Sequence, residues 1–290
     1  MNFRSSAVES EYSANSSAAD VGDESRRRAD LHMPRVNILG VGVSPVNMNR
    51  AVRLIDEWIS RRERHYVCVT SVHGVIESQR DDNLRRIHNE AGMVTPDGMP
   101  LVLVSRLMGF HQTERVYGPD LMLAVCDHSQ HRGFSHFFYG GAPGVPERLI
   151  QRLSGRYPEL KIAGSYSPPF RALTPAEDQA VIDQINSSKA DIVWVGLSTP
   201  KQERWMAAHR DKLEAPVMIG VGAAFDFNAG LKKQAPRWMR KIALEWTFRL
   251  ATEPRRLWLR YLKCNPAFLA LIAMQLLHLK RYRLDPALSG

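Results

Sequence analysis

The sequence predicts a layered α/β fold, Rossmann-like, with a mainly parallel sheet and a C-terminal helical appendage. Two observations predict it. Short apolar runs rich in β-branched and aromatic residues, among them Tyr66–Thr70, Ser135–Tyr139, Asp191–Leu197 and Val217–Val221, alternate with stretches of helical periodicity. Strands joined through helices pair in parallel and form a sheet covered by helices. Beyond Gly230 the strand runs stop and helical spacing continues alone. The expected division is a disordered tail over 1–34, an α/β catalytic domain over 35–230 and a basic helical appendage over 231–290.

Composition agrees with a globular chain: 290 residues, 44% hydrophobic and 24% charged. Cys68, Cys126 and Cys264 form no C-x-x-C pair, which argues against a disulfide framework or a zinc site and for a reducing cytoplasm. The first 30 residues are polar, with Arg26-Arg27-Arg28 and no apolar core of a secretory signal. The net charge of +9 is concentrated late: from Lys232 onward 13 Lys/Arg face 3 Asp/Glu, a net of +10. Such a region suits an anionic membrane, a phosphorylated substrate or nucleic acid.

Taken in order, Val36–Val43 and the helical spacing of Asn47–Arg62 predict a first β-α unit. Gly40-Val41-Gly42 resembles the start of a dinucleotide fingerprint, but Pro45 stands in the third glycine's place, which weighs against a nicotinamide dehydrogenase. Tyr66–Thr70 brings Thr70, Ser71 and His73 to a strand's carboxyl end, before a helix from Val75. His73 is there either a substrate hydrogen-bonder or a loop histidine without a task. Asn83–Ala91 reads as helix and Met93–Thr95 as a short strand, so Asp97 reaches the same rim as a candidate base or as the cap of an Asp-Gly turn. Arg115, a candidate partner for phosphate or carboxylate or a solvated surface arginine, precedes a helix from Leu121 to His128 that Gly133 ends.

After Ser135–Tyr139 the run Gly140-Gly141-Ala142-Pro143-Gly144 would let backbone amides approach a phosphate, or makes a tight turn that needs glycine dihedrals. Leu160–Gly164 is a strand, and Thr174-Pro175 opens a helix to Ile185. Asp191–Leu197 then leads into a helix with Thr199 as N-cap, Pro200 first and Gln202 as a capping-box partner. Lys201, Gln202 and Glu203 therefore sit at a helix N-terminus on the rim where α/β sheets bind ligands. Val217–Val221 delivers Asp226 to that rim. In the appendage Arg237, Arg249, Arg255, Arg256 and Arg260 interleave with Trp238, Trp246, Trp258 and Tyr261. The apolar run Ala267–Leu279 is too short to span a bilayer. It fits a helix lying on a membrane surface, or one packed on the core with a solvated basic face. A nucleic-acid-binding module would explain the charge but leaves Asp97, Gln202 and Asp226 without a role.

Together, Pro96-Asp97-Gly98, Arg115-Val116-x-Gly118-x-Asp120, Tyr139-Gly140-Gly141, Val195-Gly196-x-x-x-Pro200-Lys201-Gln202-Glu203, Gly220-Val221-Gly222-Ala223-x-Phe225-Asp226 and Glu245-Trp246-x-x-Arg249-Leu250 resemble the WecG/TagA/CpsF glycosyltransferase family, over about 35–279. The resemblance implies an inverting enzyme needing neither metal nor cofactor. It would move a sugar from a UDP-sugar to a polyprenyl-diphosphate-linked sugar at the cytoplasmic membrane face, for cell-surface polysaccharide. Asp97 matches the family's general base, Arg115 and Gln202 match its pocket, and the C-terminal arginines match its membrane- and diphosphate-binding appendage. Thr70-Ser71-Val72-His73-Gly74 departs from the Thr-x-Asn often found there. That variant resembles the branch with the glucosyltransferase of xanthan-type exopolysaccharide assembly, which implies UDP-glucose as donor. A homo-oligomer stays open.

Overall fold

The computed structural model describes residues 34–236, 239 and 245–284, with Arg256 described only in its backbone. The expected N-terminal tail, apart from Pro34, lies outside the described residues. So do Arg237, Trp238 and the side chain of Arg256.

The chain opens with β1 (Val36–Ile38) and β2 (Val41–Val43), which pair antiparallel with Val36 opposite Val43. This corrects the expected first β-α unit. Leu39 and Gly40 between them take φ of 53° and 80°, and two successive left-handed residues turn a hairpin back on itself. Gly40-x-Gly42 thus lies in a hairpin outside the main sheet, where it cannot present a dinucleotide to a strand-to-helix turn. Arg35 ties the hairpin down, donating from Nη1 to Gly42 O (3.1 Å) and from Nη2 to Gly92 O (2.9 Å). Helix α1 (Met48–Ser60) follows, capped by Asn47, whose side chain accepts from Arg50 N.

Six strands form the main sheet: β3 (His65–Thr70), β4 (Met93–Pro96), β5 (Ser135–Gly140), β6 (Lys161–Tyr166), β7 (Ile192–Gly196) and β8 (Val217–Gly220). Their order is β4-β3-β8-β7-β5-β6 and every pairing is parallel. The helices after them are α2 (Val72–Glu77), α3 (Asp82–Glu90), α4 (Met99–Leu107), α5 (Gly118–Arg132), α6 (Val145–Arg156), α7 (Pro175–Ser187), α8 (Lys201–His209) and α9 (Ala224–Asn228). The expected α/β class with a parallel sheet therefore holds. Successive strand residues point to opposite faces: on β3 Tyr66 and Cys68 join one core cluster, while Val67 and Val69 join the other. On β7 Val193 and Val195 divide from Ile192 and Trp194 in the same way. Both faces are buried, which is why these strands read as continuous apolar runs.

Several boundaries differ from expectation for local reasons. Helix α2 begins at Val72 rather than Val75, so His73 is helical. Helix α5 begins at Gly118, with Pro119 tolerated in its first turn where no amide is needed. Thr174 and Glu177 form the reciprocal capping box of α7, through Glu177 N to Thr174 Oγ1 and Thr174 N to Glu177 Oε2.

Two C-terminal helices complete the described chain, α10 (Glu245–Thr252) and α11 (Pro254–Leu276). Leu257, Cys264, Phe268 and Ile272 lie along one side of α11 and are buried, and Cys264, Phe268 and Ile272 belong to the cluster that also holds Tyr66 and Val193. Gln275 bridges the hairpin, donating to Asn37 O (2.7 Å) and accepting from Leu39 N (2.8 Å), and Asn37 Nδ2 donates to Tyr282 O (2.7 Å). Beside that buried stripe α11 exposes Trp258 (50%), Leu262 (64%) and Leu269 (65%).

Candidate active site

A sheet whose strands all run one way collects their carboxyl ends at one rim. At the β3–β4 end of that rim lies a cavity of about 480 Å³. Ser71, Val72 and His73 enter it from the β3–α2 junction, Asp97 to Pro100 from the β4–α4 junction, and Arg115 from the segment before α5. Its remaining wall is C-terminal: Glu245, Trp246 and Arg249 of α10, and Arg260, Tyr261, Cys264, Asn265, Phe268 and Leu269 of α11. One space thus gathers a candidate base, three arginines and an apolar wall.

Asp97 is fixed by its backbone, whose N–H donates to Thr70 O (2.9 Å). That bond continues the β3–β4 ladder one residue past the strand and aims the side chain into the cavity. Burial pushes the Asp97 carboxyl up to about 6, with Glu245 adding to the rise and Arg115, Arg249 and a hydrogen bond from Gly118 N–H opposing it. A carboxylate so placed is a competent base near neutral pH. Arg115 donates from Nε to Asp97 O. Its Nη2 lies 2.7 Å from Glu245 Oε2 and 3.9 Å from Asp97 Oδ1, and its guanidinium stands 4.3 Å over the Tyr117 ring. Burial, followed by the charges of Arg260 and Arg80, lowers His73 to about 4. His73 is therefore neutral at pH 7 and offers one donor and one acceptor to a substrate.

The other predicted residues are distributed differently. Thr70 is buried beneath the cavity, its hydroxyl turned to Cys68 O at 3.4 Å and its carbonyl holding Asp97. Gly140 and Gly141 do not line the cavity. Gly140 takes φ of 121°, and a Cβ there would stand 2.7 Å from the Gly196 backbone; Gly141 donates its N–H to Gly196 O (3.1 Å). The turn itself accounts for both glycines, and the amide of Gly141 is taken. At α8 the capping expectation is corrected, because Pro200 is the N-cap and no side-chain cap forms. Thr199 Oγ1 (2.8 Å) and Gln202 Nε2 (3.0 Å) both donate to Glu203 Oε1 instead. Gln202 and Glu203 are buried at 2% and 0% exposure, so they lie under the rim rather than on it. Gln202 Oε1 has no hydrogen-bond partner among the described residues and sits beside Gly222 at the end of β8. Asp226, on α9, pairs with Lys232 at 3.0 Å, and Lys232 reaches Glu253 at 3.5 Å. It fastens the start of the C-terminal region rather than facing the cavity. Of the C-terminal arginines, Arg249 and Arg260 line the cavity, whereas Arg255 is exposed at the start of α11.

Glu245, Tyr261 and Asn265 are cavity residues that sequence reasoning assigned no role; for Glu245 the Glu-Trp-x-x-Arg pattern was the available signal. Among the described residues, no three His, Cys, Asp or Glu side chains form a group able to hold a metal, and no helix is long and apolar enough to cross a membrane.

Comparison with known proteins gives the site its context. Residues 36–282 match the model of the "Glycosyl transferase WecG/TagA/CpsF family". A protein of Bacillus spizizenii named N-acetylglucosaminyldiphosphoundecaprenol N-acetyl-beta-D-mannosaminyltransferase is 33% identical over 186 residues, 64% of this chain and 70% of its own. Proteins of the same name from Bacillus subtilis (29% over 217 residues, 72% and 82%) and Staphylococcus aureus (28% over 244 residues, 82% and 92%) are also similar. These names carry N-acetylmannosamine, where the Thr70–Gly74 loop leads to an expectation of glucose. They also leave the dehydrogenase and nucleic-acid readings without support. With nearly all of its described length inside the family match, the chain belongs to the WecG/TagA/CpsF family of glycosyl transferases.

Proposed function

We propose that this protein transfers an N-acetylhexosaminyl group, N-acetylmannosaminyl by its similarity to the named relatives, from a UDP-sugar to a polyprenyl-diphosphate-linked N-acetylglucosamine during assembly of a cell-surface polysaccharide. The observation that carries this reading is the cavity, where Asp97, Arg115, Arg249 and Arg260 meet an apolar wall of Met99, Pro100, Trp246, Phe268 and Leu269. A lipid diphosphate sugar has those three parts: a hydroxyl to activate, a diphosphate to neutralise and a chain to shelter. Asp97 takes the proton of the acceptor hydroxyl as it attacks the anomeric carbon, and the bond from that carbon to the UDP oxygen breaks on the opposite face, inverting the centre. Guanidinium groups stabilise the charge that develops on the departing diphosphate. The exposed apolar side of α11 and the basic C-terminal charge support a peripheral position on the inner membrane face.

The reading is tested by offering UDP-N-acetylmannosamine, UDP-N-acetylglucosamine and UDP-glucose with a short-chain polyprenyl-diphosphate N-acetylglucosamine acceptor. Transfer from the first is expected; transfer only from UDP-glucose would return the assignment to a hexosyltransferase. Activity is also expected to persist in EDTA, because arginines supply the cationic charge that a divalent ion would otherwise bring to the diphosphate. Loss on chelation with recovery on adding magnesium would show that the leaving group is neutralised another way.

A further inference from the structure

We propose that Glu245 is a positioning residue for the transfer: paired with Arg115, it keeps that guanidinium off the Asp97 carboxylate and so preserves Asp97 as a base. The inference rests on the reading of Asp97 given above.

The arrangement poses a problem that Glu245 resolves. An arginine at ion-pairing distance from a carboxylate lowers its proton affinity by one to three pH units, which would leave a poor base near neutrality. Arg115 is close enough to do so, since its Nε already donates to the Asp97 carbonyl. Yet its Nη2 is 3.9 Å from Asp97 Oδ1 and only 2.7 Å from Glu245 Oε2. The shorter contact draws Nη2 toward Glu245 and leaves Asp97 the longer one, with the guanidinium 4.3 Å over the Tyr117 ring. Both side chains of that pair are largely withdrawn from water, at 17% and 11% exposure, so little solvent screens them.

The groups facing Asp97 come from three parts of the chain. Arg115, Tyr117 and the Gly118 amide come from the entry to α5, Glu245 and Arg249 from α10, and Tyr261 from α11. Among the described residues Glu245 is the only carboxylate lining the cavity besides Asp97, and its charge opposes those of Arg115 and Arg249. Glu245 belongs to the C-terminal region, so α10 supplies part of the surroundings of the base.

The test is the pH profile of kcat/KM for the full-length Glu245→Gln variant, alongside Glu245→Asp and Asp97→Asn. With Glu245 neutral, Arg115 is free to close on Asp97. The acid limb, expected near pH 6 in the native enzyme, should move down by about one pH unit, and the plateau should fall by about two- to tenfold as the base weakens. Glu245→Asp keeps the charge on a shorter stem and should return the limb most of the way. A fall in rate with the limb unmoved in Glu245→Gln would mean only a structural role, and full activity would mean none; either overturns the proposal. Should Glu245→Gln not fold, Glu245→Ala, which also removes the charge, is read in its place, and a lower rate there with the limb unmoved overturns the proposal equally. Full activity in Asp97→Asn would overturn the base assignment as well, whereas an inactive Asp97→Asn beside an unmoved Glu245→Gln limb overturns this inference alone.

Discussion

Asp97→Asn is expected to lower the turnover of sugar transfer by about 10²–10⁴-fold, the range that a positioned general base contributes. The amide conserves the shape of the carboxylate and its backbone bond to Thr70, but it cannot accept the acceptor's proton at the moment of attack. The fold should survive, because burial already disfavours the charged form of this side chain and holds it at about 6. The same shift fixes the pH dependence of the native enzyme. A base must be unprotonated to act, so kcat/KM should rise with pH through about 6 and level above it. A steady-state profile with a saturating acceptor, paired with a UDP-binding titration, checks both. Near-native turnover in Asp97→Asn would remove Asp97 from the role of base, and an acid limb close to 4 would remove the upward shift that burial gives its carboxyl.

Much of the scaffold was legible because the sheet is covered on both faces. Tyr66–Thr70, Ser135–Tyr139, Ile192–Gly196 and Val217–Gly220 bury every other side chain into each of two clusters, so burial leaves a continuous apolar signature along the chain. Val36–Val43 has the same signature and a different fate. Its apolar run covers two three-residue strands, and the reversal at Leu39 and Gly40 depends on dihedrals that periodicity does not encode. Asp97 was legible because its position follows from one local fact, a short strand ending at a turn. Glu245 was not, since its meeting with Arg115 joins segments far apart in the chain and only the tertiary fold brings them to 2.7 Å. Gln202 and Glu203 show the converse failure. Their spacing spells a helix cap, but Glu203 is buried at the sheet end and draws Thr199 and Gln202 onto one of its oxygens, so tertiary burial overrides the local capping pattern. Composition located the positive charge in the C-terminal region; that α11 carries a packed apolar stripe with an exposed one beside it emerged only once Cys264, Phe268 and Ile272 were seen in the core.

That helix decides how membrane attachment should be tested. Deleting the C-terminal region would strip Phe268 and Ile272 from a core they share with the sheet, and each such side chain contributes about 1.5–3 kcal/mol. Loss of binding after deletion would then be confounded with loss of folding. The exposed side offers a cleaner probe: Trp258, Leu262 and Leu277 are 50%, 64% and 68% exposed. Replacing the three together with glutamate should leave the core intact. If each inserts about half of its apolar surface, the loss is roughly 2–4 kcal/mol, or about 30–10³-fold in partition to anionic liposomes. The added negative charge should weaken binding further, since each basic residue near an anionic surface is worth about 1 kcal/mol and three acids oppose that attraction. Raising salt should release the native protein only in part, because screening acts on the charges and not on the buried apolar area. Transfer to a long-chain lipid acceptor in liposomes should fall with binding, while transfer to a short-chain acceptor in solution should persist, since Asp97, Arg115 and Glu245 are untouched. Co-sedimentation at low and high salt, with both acceptors assayed in parallel, measures each part. Unchanged sedimentation of the triple variant would show that the exposed side of α11 does not face the membrane.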